Sequence, residues 1–151
     1  MNLNEQPESV TWPATHYVFV EKIGPFKDTA QQAWQEVRSF SREIAMNNKI
    51  TGAMSLYKMG PKIYRAGYIL SAPPVQLPEG LLYESFAGGK YIRFVLTGSY
   101  SNLPEASGRV WAIAAEMKIQ LRDDFAIENY VNDPDSTPED KLVTEILIPT
   151  A

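Results

Sequence analysis

The sequence predicts an α+β domain made of two βαββ units related by pseudo-twofold symmetry, and three observations carry the prediction. Two β-branched and aromatic runs each end in a glycine turn, at Gly24-Pro25-Phe26 and at Gly98-Ser99-Tyr100, and in each a tyrosine, Tyr17 or Tyr91, stands seven residues ahead of the glycine. Each turn is followed by an apolar stripe of helical period. Each stripe is followed by two strand-like segments around a turn. Antiparallel sheets with two helices on one side and a ligand cleft on the other are therefore expected.

In the first unit the opening strand leads to a helix with Ala33, Trp34, Val37, Phe40 and Ile44 on its inward face, with Asp28 as the expected cap. Segments 52–58 and 63–70 then form a hairpin about Gly60-Pro61. A proline-rich connector, SAPPVQLPEG at 71–80, separates the units. In the second unit the strand at 90–96 leads to a helix marked by Ala106, Val110, Ile113, Ala114, Met117 and Leu121. Ser101 or Asn102 is its expected cap, and Pro104 suits its first turn. Segments 125–131 and 142–149 flank NDPDSTPED, whose prolines and aspartates make it a loop. One domain over 1–151 is expected, with repeats at about 12–70 and about 81–150.

Composition narrows the function classes. The 44% hydrophobic and 21% charged content of these 151 residues is that of a globular chain. Fourteen basic against eighteen acidic residues give a net charge of −4, and no cationic field invites nucleic acid or an anionic membrane. No cysteine is present, which removes thiolate chemistry. The N-terminal sequence has no signal-peptide pattern and no stretch is long and apolar enough for a membrane span, so a cytoplasmic protein is expected. A lone histidine, His16, makes neither a histidine-rich metal site nor a Ser/His/Asp triad, and no other axial haem ligand stands out. Gly88-Gly89-Lys90 lacks phosphate-loop spacing, and Asp133, Asp135, Glu139 and Asp140 read as a solvated turn. No metal, cofactor, nucleic acid or membrane is expected.

Alternation divides each strand into two faces. Phe125, Ile127 and Val131 form a mostly apolar face suited to packing under helices, and Ala126, Glu128 and Tyr130 form the other. Tyr17, Phe19 and Glu21 in the opening strand correspond to Tyr91, Arg93 and Val95 in its counterpart, an aromatic and polar face suited to a cleft. Glu145 interrupts an apolar run at 143–149. It is either a buried anchor for a cation, backed by aromatic faces, or a solvent-side residue meeting Lys90, Arg93 or Lys141. Glu128 carries the same two readings. Tyr57 and Tyr130 stand near the ends of corresponding strands; Trp34 belongs to the helix stripe, and Trp111 lies off the second one.

Several motifs occur in order at the positions the duplicated reading requires. Glu128-Asn129-Tyr130 forms E-x-Y, Asn132-Asp133-Pro134 follows, and Thr144 to Pro149 reads T-E-I-L-I-P. Together with Ile23-Gly24-Pro25-Phe26 they make roughly residues 12–150 resemble the GyrI-like, AraC-effector-binding domains. The resemblance implies a ligand cleft between two repeats, in which acidic residues pair with lipophilic cations among aromatics. By motif, Glu145, Glu128 and Tyr130 carry over; Tyr57, Tyr91 and Trp111 complete the candidate set. No helix-turn-helix precedes the domain, so direct control of transcription is not expected. The expected function is binding of lipophilic, cationic small molecules, without catalysis. The alternatives are a hydrolase with a cleft glutamate as general base and an interaction protein resembling gyrase inhibitors.

Overall fold

Both glycines marked as turns adopt backbone conformations that L side chains rarely reach, with φ +138° at Gly24 and +124° at Gly98. A second feature joins the turns: the Gly24 amide donates to the carbonyl of Lys62 at 3.0 Å and that of Gly98 to Leu142 at 2.7 Å, in each case just ahead of the last hairpin strand. The computed structural model describes residues 1–151. Its strands are β1 (Asn2–Trp12), β2 (Thr15–Ile23), β3 (Ile50–Lys58), β4 (Ile63–Leu70), β5 (Leu82–Phe86), β6 (Gly89–Thr97), β7 (Ala126–Tyr130) and β8 (Val143–Pro149). Its helices are α1 (Phe26–Ser39), α2 (Ser41–Asn47) and α3 (Leu103–Glu116). None is long and apolar enough to cross a membrane.

The elements gather into two compact units, Pro13–Gly88 and Met1–Trp12 with Gly89–Ala151. In the first, the strands lie in the order β3-β4-β2-β5, all antiparallel, with α1 packed on β2 and β4. In the second, the order is β1-β6-β8-β7, again antiparallel, with α3 on β1, β6 and β8. Each unit thus contains the expected strand, helix and hairpin, together with an edge strand the sequence does not announce. The boundaries also differ from those expected: residues 82–86 pair with β2, and the edge of the later unit comes from the start of the chain.

Local details depart from expectation for physical reasons. Pro25 precedes the first turn of α1, whose start has no side-chain cap; Asp28 lies within that turn, where its charge meets the helix dipole. At α3 Asn102 stands at the N-cap as expected, but its side chain makes no capping bond; Ser99 accepts from the Ser101 amide in a short 3-10 turn that leads in. The single stripe from Ala33 to Ile44 is broken at Phe40, which separates α1 from α2. α3 ends before Met117 and Leu121, which are 51% and 46% exposed.

The register decides which side chains the helices cover. Ile92, Phe94 and Leu96 of β6 pack with Ile146 and Ile148 of β8 beneath Ala106, Val110, Ile113 and Ala114 of α3. Opposed residues of an antiparallel pair share a face. Because Glu128 lies opposite Ile146 and Tyr130 opposite Thr144, both belong to the helix-bearing face. This reverses the expected assignment of Ala126, Glu128 and Tyr130 to the side away from the helices. On that far face, Tyr91, Ile127 and Leu147 are at most 1% exposed, so these residues present no open cleft wall.

Candidate functional site

Six acidic side chains of the chain are half-buried: Glu21, Glu36, Glu84, Asp124, Glu128 and Glu145. Five take part in ion pairs: Glu21 and Glu84 with Arg65, Glu36 with Lys22, Asp124 with Arg122, and Glu145 with Arg93. Glu128 has no cationic partner within ion-pair distance. It receives one hydrogen bond, from the Tyr130 hydroxyl to Oε1 at 3.0 Å. Burial pushes its carboxyl up to about 7, against the downward pull of that hydrogen bond.

The backbone explains the pairing. Two residues apart on β7, Glu128 and Tyr130 project from the same face and their side chains meet along the strand. The Tyr130 ring packs edge-on against Tyr100, with centroids 5.4 Å apart. Tyr100 opens the 3-10 turn after the positive-φ Gly98, so the glycine turn delivers an aromatic ring beside the carboxylate's hydrogen-bond donor. Thr144, across the strand pair from Tyr130, is fully buried with its hydroxyl unpartnered. Trp111, half-buried on α3, packs against the apolar cluster of the same face.

The remaining candidates fall elsewhere. Glu145 lies opposite Asn129 on the far face of the same sheet. Its oxygens meet Arg93 Nη1 at 3.2 Å and accept from Asn129 Nδ2 at 2.8 Å, and the side chain is 17% exposed. Arg93 also reaches Glu8 at 2.8 Å, tying β1 and β8 together across β6. The charge of Glu145 is therefore compensated inside the protein, by one of the three cations the sequence offered. Tyr91, on the same far face, donates its hydroxyl to the carbonyl of Phe125 at 2.8 Å and lies beneath the Arg122 guanidinium. Burial pushes its phenol up to about 12. A fully buried hydroxyl held in this way serves the fold.

Tyr57 belongs to the Pro13–Gly88 unit, opposite Tyr64 on the helix-bearing face, with Phe26 edge-on at 5.7 Å. There the Trp34 indole N–H donates to Ser55 Oγ at 3.1 Å and to Tyr64 Oη at 3.0 Å. Relative to the strand pairing, Ser55 occupies in this unit the place that Glu128 holds in the other: it faces Ala66, which faces Val20, as Glu128 faces Ile146, which faces Phe94. One unit thus carries a carboxylate where its counterpart carries a hydroxyl in a hydrogen-bonded group. Sequence reasoning missed Tyr100, Ser55 and Tyr64. Tyr100 follows the glycine turn directly, which was the available signal.

A family described as the GyrI-like small molecule binding domain matches residues 5–151. No curated protein matches. Among solved structures, the EcmrR C-terminal domain is similar with a TM-score of 0.79 at 13% identity, over 97% of both chains. SAV2435, solved bound to tetraphenylphosphonium, is similar with a TM-score of 0.71 at 15% identity, over 97% of this chain and 94% of that one. A hydrolase from Listeria innocua is similar with a TM-score of 0.63 at 12% identity, over 97% of this chain and 92% of that one. At such identities the likeness is one of fold.

Proposed function

The chain belongs to the GyrI-like family of small-molecule binding domains, and we propose that its ligands are lipophilic cations anchored by the Glu128 carboxylate, with Tyr130, Tyr100 and Trp111 as the aromatic surfaces. The observation that carries this reading is the solitary state of Glu128. Of six half-buried acids it alone lacks a basic partner. A half-buried carboxylate without a counter-charge carries a desolvation cost that a bound cation relieves. Aromatic faces add cation–π attraction for a charge spread over an apolar body. Binding of tetraphenylphosphonium by a protein of similar fold is consistent with such a ligand.

The test is titration with tetraphenylphosphonium, followed by tryptophan fluorescence at pH 8. Saturable binding in the micromolar range is expected. Glu128→Gln is expected to weaken it by at least about tenfold, or ~1.4 kcal/mol. Glu145→Gln is expected to change it little, because that carboxylate already has Arg93. Equal losses in the two variants, or a loss confined to Glu145→Gln, would remove Glu128 from the role. A second reading, hydrolysis with Glu128 as general base, is favoured by a carboxyl that titrates near neutrality. It predicts turnover of an electrophilic substrate, lost in Glu128→Gln, where simple binding predicts stoichiometric occupancy.

A further inference from the structure

We infer that the Glu128 site takes a second class of ligand, neutral lipophilic molecules bearing a hydrogen-bond acceptor, which the protonated carboxyl holds by donating to them. The inference rests on the reading of Glu128 as the cation anchor and extends it to the state of the site without a cation. In that state no lysine, arginine or histidine neutralises the carboxylate, and burial favours its protonated form until the pH passes about 7. The Tyr130 hydroxyl donates to Oε1, which leaves Oε2 to carry the proton and point its O–H at a ligand. The same heavy-atom arrangement therefore presents an anion to a cation and a donor to an acceptor.

Few other groups disturb this exchange. Facing Glu128 from its own strand is Tyr130, whose ring meets Tyr100. On this face β8 contributes Thr144, Ile146 and Ile148, and β6 contributes Ile92, Phe94 and Leu96, none of them charged. Of the charged residues of α3, Glu105 in the first turn and Glu116 are exposed, and the half-buried Arg109 is paired with Glu5 and Glu116. A carboxyl held near 7 by burial populates both forms around neutral pH. Binding of a cation to the protonated form releases one proton to solvent, whereas a neutral acceptor releases none. The two classes thus compete for one site through a proton.

The experiment titrates the full chain between pH 6 and pH 9 with three probes of similar shape: tetraphenylphosphonium, triphenylphosphine oxide and triphenylmethane. For a carboxyl titrating at about 7, phosphonium affinity is expected to rise about tenfold from pH 6 to pH 8, and oxide affinity to fall about a hundredfold from pH 6 to pH 9. Triphenylmethane, which has no acceptor, should show no such dependence. In Glu128→Gln the amide remains a donor, so oxide binding should persist with its pH dependence gone. Calorimetry of phosphonium binding at pH 6 in two buffers of different ionisation enthalpy should show close to one proton released. Phosphonium binding together with oxide affinity that is absent or flat across pH overturns the second class and leaves the cation reading standing. Failure of the wild-type chain to bind phosphonium overturns both.

Discussion

Glu128 titrates at about 7, well above the ~4.3 of a glutamate in an unfolded chain, and the sign of its effect on stability follows. A folded-state acid raised above its unfolded value favours the protonated form, so its ionisation penalises folding. The penalty is absent below about pH 4, grows as the pH rises towards 7, and is constant above that. Glu128→Gln should therefore match the wild type near pH 4 and exceed it at pH 8 by up to about 3–4 kcal/mol, about 1.4 kcal/mol for each pH unit between the unfolded value and about 7. Urea denaturation at both pH values measures this, and equal wild-type and variant stability at pH 8 would contradict the burial argument. Glu145 predicts the opposite behaviour. Its partner is Arg93, and removing that guanidinium leaves a mostly buried carboxylate with Asn129 alone. Arg93→Met should cost about 1–3 kcal/mol, the penalty of leaving a partly buried acceptor unsatisfied, while leaving phosphonium affinity nearly unchanged. The sequence made Glu145 conspicuous, since an acid inside an apolar run is visible, and it named Arg93 among three possible partners. It made Glu128 look ordinary, because alternation separates two faces without saying which one the helix covers. Only the register with Ile146 decides that.

At the scale of elements, the strand–turn–helix join is the legible unit. Its signal is local: a β-branched run, a glycine, then an apolar stripe of helical period. Positive φ at Gly24 and Gly98 supplies the physical reason for the glycines. Gly98→Ala should cost about 1–3 kcal/mol from backbone strain alone. Because Tyr100 and its contact with Tyr130 follow directly from that turn, the substitution should also weaken phosphonium binding. Thermal denaturation and the dye titration read the two effects separately; a loss of stability with unchanged affinity would detach Tyr100 from the site. The hairpin of β3 and β4 was equally legible, with β4 falling at Ile63–Leu70. The edge strands were not. β1 contains Asn4, Glu5, Gln6, Pro7 and Glu8, a composition that reads as loop, and its pairing with β6 is interrupted between Asn4 and Glu8. Edge strands tolerate charge, proline and bulges because one side of their backbone has no neighbour to satisfy.

Over the whole molecule, the two edge strands cross the sequence order of the units they complete. β5 precedes β6 in the chain yet closes the outer side of β2, and β1 precedes β2 yet closes the outer side of β6. No local pattern encodes such an exchange, which is why the expected repeats at about 12–70 and 81–150 omitted it. Its consequence is that the first dozen residues stabilise a strand far along the chain, from Asn2 opposite Thr97 to Trp12 opposite Gly89. Two ion pairs travel with them, Glu5 with Arg109 of α3 and Glu8 with Arg93. Deleting residues 1–12 would leave the backbone donors and acceptors along the outer edge of β6 without partners, beside Tyr91 and Phe94 in the packed interior. An unprotected edge of that length is a template for pairing with another chain. The truncated protein should therefore melt lower than the full chain and self-associate as its concentration rises. The double variant Glu5→Gln, Glu8→Gln, which removes the ion pairs but keeps the ladder, should remain monodisperse relative to the full chain and lose no more than about 1 kcal/mol, because exposed pairs contribute little. Light scattering across a concentration series, with thermal denaturation of all three proteins, separates the two contributions. A truncated chain that melts and scatters like the full one would show that β1 is dispensable to the unit it borders.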